Sequence, residues 1–366
     1  MNSIDKLHEL GQSIWYDNIE RRLLKNGELA AMINRGEIRG VTSNPSIFNK
    51  AIANSDDYDD ALIPLAERGY TKNEIYESLA VDDIQATCDL FRPLYDRTNG
   101  ADGFVSFEVN PYLANDSVGT VREAARLWNW VNRPNLMIKI PATTEGLPAI
   151  EKSIASGINI NVTLIFSIER YKQVMNAYIT GLEQRIINGY SIDHVASVAS
   201  FFVSRIDSNV DARLSDIGGK KATALQGKIA IASAKLAYSV HNLVFSSNRW
   251  AALKKQNGCI QRPLWASTST KNPSYSDTKY VDELIGPNTV NTVPPATLAA
   301  FRDHGTAALT LASNLDNAQA AMDQLSQLGI SIDEVTKELE NQGVKSFSDA
   351  FEDLLETVEN RRNSVA

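Results

Sequence analysis

Cysteine and histidine are scarce in this chain of 366 residues, with two of the first and four of the second. Cys88 and Cys259 lie far apart and form no Cys-x-x-Cys pair, so no disulfide framework is expected and a reducing compartment fits. His8, His194, His241 and His304 include no pair at metal-ligand spacing, which argues against a zinc or iron site. No apolar run approaches the length of a membrane span, and the opening "MNSIDKLHEL" has no signal-peptide pattern. A cytoplasmic protein with no membrane partner is therefore expected. Positive charge is also short: 36 Lys and Arg stand against 44 Asp and Glu, a formal net charge of -8, which disfavours nucleic acid or an anionic membrane as partner. Low-complexity linkers and long internal repeats are missing too. Any chemistry must come from lysine, carboxylates and hydroxyls.

What is present is ordinary for a globular chain, 43% hydrophobic and 22% charged. Short apolar runs near residues 12–17, 38–44, 103–109, 135–140, 158–165, 195–204, 262–267 and 289–293 read as strands. Helical periodicity lies between them, clearest in "EIYESLAVDDIQATCDLFRPLY", "VREAARLWNWV" and "GKIAIASAKLAYSVHNLVF". Thr71 with Glu74, and Thr120 with Glu123, fit capping boxes that start helices. After the last strand, "PPATLAAF" should open a helix, since proline is tolerated in a first turn. Strands alternating with helices imply a parallel sheet in the α/β class. Eight of them fit a closed (β/α)8 TIM barrel, with a doubly wound open sheet as the alternative. Residues 1–366 then form one barrel domain with additional helices, and 305–366 form an acidic, helical C-terminal extension packed on it.

Alternate residues of a strand share a face, and this sharpens the reading. "FVSFEV" sets Val105, Phe107 and Val109 against Phe104, Ser106 and Glu108. "LMIKI" sets Leu136, Ile138 and Ile140 against Met137 and Lys139. In "GININVTLIFS" the apolar set Ile158, Ile160, Val162 and Leu164 opposes Asn159, Asn161 and Thr163. Asp17 shares a face with Ser13 and Trp15, and Asn44 with Gly40 and Thr42. Each residue also has a plain explanation. A lone strand lysine is usually an edge residue, and a strand-end Asp or Asn is usually a turn former or helix cap, which suits Asp17 and Asn44. Glu108 resists dismissal because a glutamate between apolar neighbours is rarely buried unpaired. Five strands with a polar group opposite their apolar face is a coincidence that separate explanations do not predict. In a barrel those groups point into the lumen, near the strand ends where barrel active sites assemble.

A lysine in a confined, partly desolvated site gives up its proton more readily, and the free amine can attack a carbonyl to form a Schiff base. The iminium is an electron sink, so the adjacent carbon–carbon bond can break or form without a metal. A base must take the hydroxyl proton released on cleavage, and a second acid/base must handle the water of imine formation and hydrolysis. Asp17 suits the first task and Glu108, with Thr163 holding the water, the second.

The segments "GVTSNPSIF", "FVSFEVNP", "LMIKIPAT", "GININVTLIFS" and "SFFVSRID", in this order, resemble the transaldolase family, its long bacterial-type branch, from about residue 12 to about residue 300. The resemblance implies a class I aldolase-type barrel, no cofactor, sugar-phosphate substrates and a place in the pentose phosphate pathway. It implies a transferase that moves a dihydroxyacetone unit from a ketose phosphate (sedoheptulose 7-phosphate or fructose 6-phosphate) to an aldose phosphate (glyceraldehyde 3-phosphate or erythrose 4-phosphate). By position it makes Lys139 the Schiff-base residue and Asp17 the cleavage base, and gives the catalytic water to Glu108 and Thr163. Asn44 and Asn161 would bind the dihydroxyacetone unit and Ser200 its terminal hydroxyl. Arg205 matches the phosphate-binding arginine, and its parity places it in the loop past the strand. A second phosphate arginine is missing from "WASTSTKNP", where Lys271 is the nearest cation and binds as a point charge rather than a fork.

Two rivals remain open. Aldolases of the same superfamily release free dihydroxyacetone; they are shorter and carry a tyrosine at the place of Phe202, whose phenyl ring cannot orient a water as a phenol can. An inactive sugar-phosphate-binding barrel is the other, although such a sensor needs no nucleophile and no pair of carboxylates. Oligomeric state is open, with a homodimer among the arrangements allowed.

Overall fold

Each short apolar run becomes a strand: β1 Gln12–Tyr16, β2 Gly40–Thr42, β3 Phe104–Glu108, β4 Leu136–Pro141, β5 Ile160–Ile165, β6 Ser197–Phe202, β7 Arg262–Ala266 and β8 Thr289–Val293. The computed structural model describes residues 2–365. The strands pair in parallel and in chain order, and β8 closes on β1 through five residue pairs from Gln12 with Thr289 to Tyr16 with Val293. Parallel neighbours need crossover connections, which the intervening helices supply, so the result is the closed (β/α)8 barrel rather than an open sheet. Among the described residues no helix is long and apolar enough to cross a membrane.

Register carries the polar faces into the lumen. Thr42 pairs with Ser106, Glu108 with Lys139, Lys139 with Asn161, and Pro141 with Thr163. Paired residues of parallel strands share a face, so these groups ring the same interior. Below them the lumen is filled. Trp15 leans over Gly40, where an added Cβ would stand 2.6 Å from the indole ring, and its ring centroid lies 6.2 Å from that of Phe104. Arg262 closes the N-terminal end: it donates to the carbonyls of Ala101 (2.9 Å) and Thr289 (2.6 Å) and to Ser13 Oγ (2.8 Å), and it pairs with Asp102 at 3.1 Å. These groups occupy the N-terminal end of the lumen, while the polar ring faces the C-terminal mouth, where barrel active sites assemble.

Some local expectations change. β2 stops at Thr42 because Asn44 caps the helix Pro45–Ala53, its Oδ1 accepting from the Ile47 amide at 3.1 Å. β6 stops at Phe202 because Ser204 already begins the helix Ser204–Ile217. Thr71 and Glu74 form their capping box at the start of Lys72–Arg97. Thr120 does not: the helix Ser117–Val131 begins earlier, where Asp116 accepts from the Gly119 amide, and Thr120 Oγ1 donates to the Leu113 carbonyl instead. An acidic cap one turn upstream satisfies the free amides first. Pro295 opens Pro295–His304 as expected.

The C-terminal extension is not helical from its start: residues 305–314 are irregular, followed by Leu315–Gln327 and then the long helix Ile332–Val365. That last helix buries Val335, Leu339, Phe351, Leu354, Leu355 and Val358 and packs against Pro45–Ala53 and Lys72–Arg97. Burial at roughly 1.5–3 kcal/mol per such side chain outweighs its surface ion pairs. It runs across the C-terminal mouth of the barrel and sets Phe347 into the cavity there.

Candidate active site

Lys139 reaches the lumen because β4 turns Leu136, Ile138 and Ile140 toward the helices. Its side chain is only 7% exposed. Nζ donates to the Ser43 carbonyl at 3.2 Å, stands 3.3 Å from Glu108 Oε1, and lies 5.6 Å from the centroid of the Phe347 ring. Glu108 sits beside it on β3, 9% exposed by side chain. Burial pushes the Glu108 carboxyl above the usual carboxylate range, with the Lys139 ammonium opposing. Neither Glu108 oxygen nor Thr163 Oγ1 has a directed hydrogen bond to a described residue, so three buried polar atoms flank the lysine with bonding capacity to spare.

Asp17, one residue past β1, is partly buried. Its Oδ1 accepts from Thr42 Oγ1 at 2.6 Å, and Thr42 in turn lies 2.6 Å from Thr292 Oγ1. Burial raises the Asp17 pKa as well, opposed by the Lys139 ammonium, the Thr42 hydroxyl and, more weakly, Lys271. Asn161 is fully buried in β5, donating to Ser106 Oγ at 2.9 Å and accepting from Ser200 Oγ at 2.7 Å. Thr163 lies two residues on, just before Leu164, whose φ of +59° is strained for a bulky residue, and where the β5–β6 register shifts.

A cavity of about 220 Å³ opens over Lys139. Asp17, Asn44, Lys139, Thr163, Ser200, Phe202, Arg205 and Lys271 line it, while Glu108 and Asn161 lie just behind its walls. Phe202 is braced by Phe166, ring centroids 5.1 Å apart. Arg205 is not in a loop: it occupies the first turn of Ser204–Ile217, its guanidinium 5.4 Å from the Phe202 centroid. No described carboxylate lies within ion-pair distance of it, and burial lowers its pKa. Lys271 is exposed and donates to Ser269 Oγ at 2.7 Å. Larger hollows of about 450 and 360 Å³ lie at the opposite end of the barrel. Their guanidinium groups already hold carboxylates, Arg39 and Arg262 on Asp102 and Arg92 on Asp96.

A buried amine beside one carboxylate, open to a polar cavity and facing a second, has the equipment for imine chemistry. Comparison with known proteins agrees. The profile of the family described as transaldolase/fructose-6-phosphate aldolase matches residues 14–358. The chain belongs to this family. A transaldolase of Parafrankia sp. (strain EAN1pec) is 48% identical over 364 residues, 99% of each chain. A transaldolase of Thermobifida fusca (strain YX) is 49% identical over 97% of each chain, and one of Trichodesmium erythraeum (strain IMS101) is 47% identical over 98% of this chain and 97% of its own.

Several neighbours of Lys139 escape a reading of the strands. The Ser43 carbonyl that holds Nζ has no side-chain signal. Ser106 does share the face of Glu108 by period-2 alternation, and Thr42 that of Asn44, but neither is set apart by it. Phe347 is far along the chain, in a helix whose seat on the barrel no local pattern announces.

Proposed function

We propose that this transaldolase-family transferase works through Lys139 as the Schiff-base amine, Asp17 as the base for carbon–carbon cleavage, and Glu108 with Thr163 as the handlers of water. The placement of Lys139 Nζ carries the reading: it is buried, 3.3 Å from Glu108, on the floor of a cavity that Asp17 also lines. A ketose phosphate, sedoheptulose 7-phosphate or fructose 6-phosphate, enters carbonyl first. Its C2 bonds to Nζ, and a proton donated by Glu108 carries off the carbonyl oxygen as water, a role that its raised pKa favours. Asp17 then removes the hydroxyl proton, the carbon–carbon bond breaks, and an aldose leaves while the dihydroxyacetone unit stays on Lys139 as an enamine. An aldose phosphate, glyceraldehyde 3-phosphate or erythrose 4-phosphate, takes the unit, and hydrolysis frees the lysine.

Asn161 suits the bound unit because Ser106 and Ser200 fix its amide, and Asn44 because its cap uses only Oδ1. Arg205, without a carboxylate partner among the described residues, and Lys271 offer positive charge to the substrate phosphate at the rim. The reaction belongs in the cytoplasm, in the pentose phosphate pathway. We read residues 1–366 as one domain, since the C-terminal helix and the strands line one cavity.

Borohydride reduction in the presence of fructose 6-phosphate tests the assignment. A mass increase on the peptide holding Lys139 is expected, and an adduct on another lysine, or none, would refute it. Release of dihydroxyacetone without an aldehyde acceptor, at a rate matching transfer, would make the chain an aldolase of the same family instead.

A further inference from the structure

The walls of the Lys139 cavity come from the strands and the loops and first turns that follow them, except for one ring. Phe347 belongs to Ile332–Val365, and its position is fixed from both sides. Four residues earlier, one helical turn back on the same face, Gly343 rests on β5: a Cβ there would meet Leu164 Cδ2 at 2.9 Å and Phe166 Cε2 at 3.5 Å. Four residues later, Phe351 packs edge-on against Tyr76 and Tyr112, with both centroid distances 5.6 Å. Glu340, on the turn before Gly343, is held by Arg170 at 3.3 Å and Lys337 at 2.8 Å. The helix is thus seated against the strained end of β5, and the ring between its two anchors overhangs the amine at 5.6 Å.

We infer that Phe347 is a positioning residue that closes the helix side of the cavity to bulk water and so directs the bound dihydroxyacetone unit to an aldehyde acceptor rather than to hydrolysis. The inference rests on Lys139 being the Schiff-base amine. After cleavage the fragment is an enamine. With an aldehyde present, its carbon attacks the aldehyde carbonyl, a carbon–carbon bond forms, and the oxygen takes a proton. Without one, the same carbon accepts a proton, water adds to the resulting iminium carbon, the carbon–nitrogen bond breaks, and dihydroxyacetone leaves with the proton returned to the lysine amine. Both steps of the second route need protons and water to reach the fragment. Glu108 and Thr163 handle water from the floor, and the apolar ring of Phe347 covers the helix side of the cavity.

The experiment compares the full-length native chain with Phe347→Ala and Phe347→Leu, reading the rate of acceptor-free dihydroxyacetone release from fructose 6-phosphate divided by the rate of transfer to erythrose 4-phosphate. Opening the wall in Phe347→Ala should raise this ratio by about tenfold or more, while leucine, apolar and of similar bulk, should keep it within about twofold of native. A ratio unchanged in the alanine variant, or raised equally in the leucine variant, overturns the inference. Phe347→Asn carries the same expectation as alanine if the alanine variant fails to accumulate. Borohydride trapping on the native chain separates the two failures: no adduct on Lys139 removes the underlying mechanism, whereas an adduct with an unmoved ratio removes only the role of Phe347.

Discussion

Lys139→Met keeps most of the length of the side chain and deletes its charge, which leaves Glu108 without its cation. The two side chains are 7% and 9% exposed and stand 3.3 Å apart. Breaking a buried pair by removing one partner costs about 3–5 kcal/mol if the remaining charge stays ionised. Glu108 has an escape, because it can bind a proton. Burial already raises its pKa in the folded state, and Lys139 is the principal opposing influence. Deleting the lysine therefore raises the folded pKa further above the unfolded value. For a carboxyl shifted upward, the unfolded chain ionises first, so stability is lost as pH climbs from the unfolded pKa toward the folded one. The slope is about 1.4 kcal/mol per pH unit for one proton. The stability gap between native chain and variant should accordingly be small near pH 5 and widen toward pH 8. Urea unfolding at a series of pH values measures it. Adding Glu108→Gln to Lys139→Met should narrow the gap without removing it, since glutamine has no charge to expose while Asp17, whose burial-raised pKa Lys139 also opposes, still titrates. A gap that stays constant from pH 5 to pH 8 would refute the argument that the pair is a buried, proton-coupled one. The same variant should lack turnover and borohydride trapping.

Other perturbations separate the remaining roles. Asp17→Ala should let the imine form but slow cleavage by about 10²–10⁴-fold, the usual worth of a general base, so trapped adduct persists while product falls; an adduct that no longer forms would give Asp17 a different task. Arg205→Ala should raise KM for a phosphorylated ketose well above that of native enzyme while leaving that for free dihydroxyacetone nearly unchanged, and an equal rise for both would deny it the phosphate. Gly40→Ala should lower stability by about 1–3 kcal/mol, because the new methyl meets the Trp15 ring at 2.6 Å, and thermal melting of the variant reads this directly.

Most of the candidate site was legible because strand alternation has a period of two. Once "LMIKI" is a strand, Lys139 must oppose its three branched neighbours, and once "FVSFEV" is one, Glu108 follows. Eight such runs, each followed by a helical stretch, leave few topologies, and the closed barrel is among them. Boundaries were less legible. Arg205 reads as a loop residue because its parity differs from that of Ser200 and Phe202, whereas the helix begins at Ser204 and takes the arginine with it. Thr120 looked like a cap because its spacing to Glu123 is right, and lost to an aspartate four residues earlier.

By itself, the order of residues determined the strand faces, the alternation that makes a parallel barrel, and the side of their strands on which Lys139, Glu108 and Asp17 lie, because these depend on spacings within single segments. Only the tertiary structure decided which groups touch the amine: the Ser43 carbonyl, the exposed-side ring of Phe347, and the Ser106–Asn161–Ser200 chain. Those contacts span up to about two hundred residues, and no local periodicity records them. They exist because closing the sheet brings β2, β3, β5 and β6 around β4, and because packing an apolar helix face across the mouth is favourable wherever along the chain that helix lies.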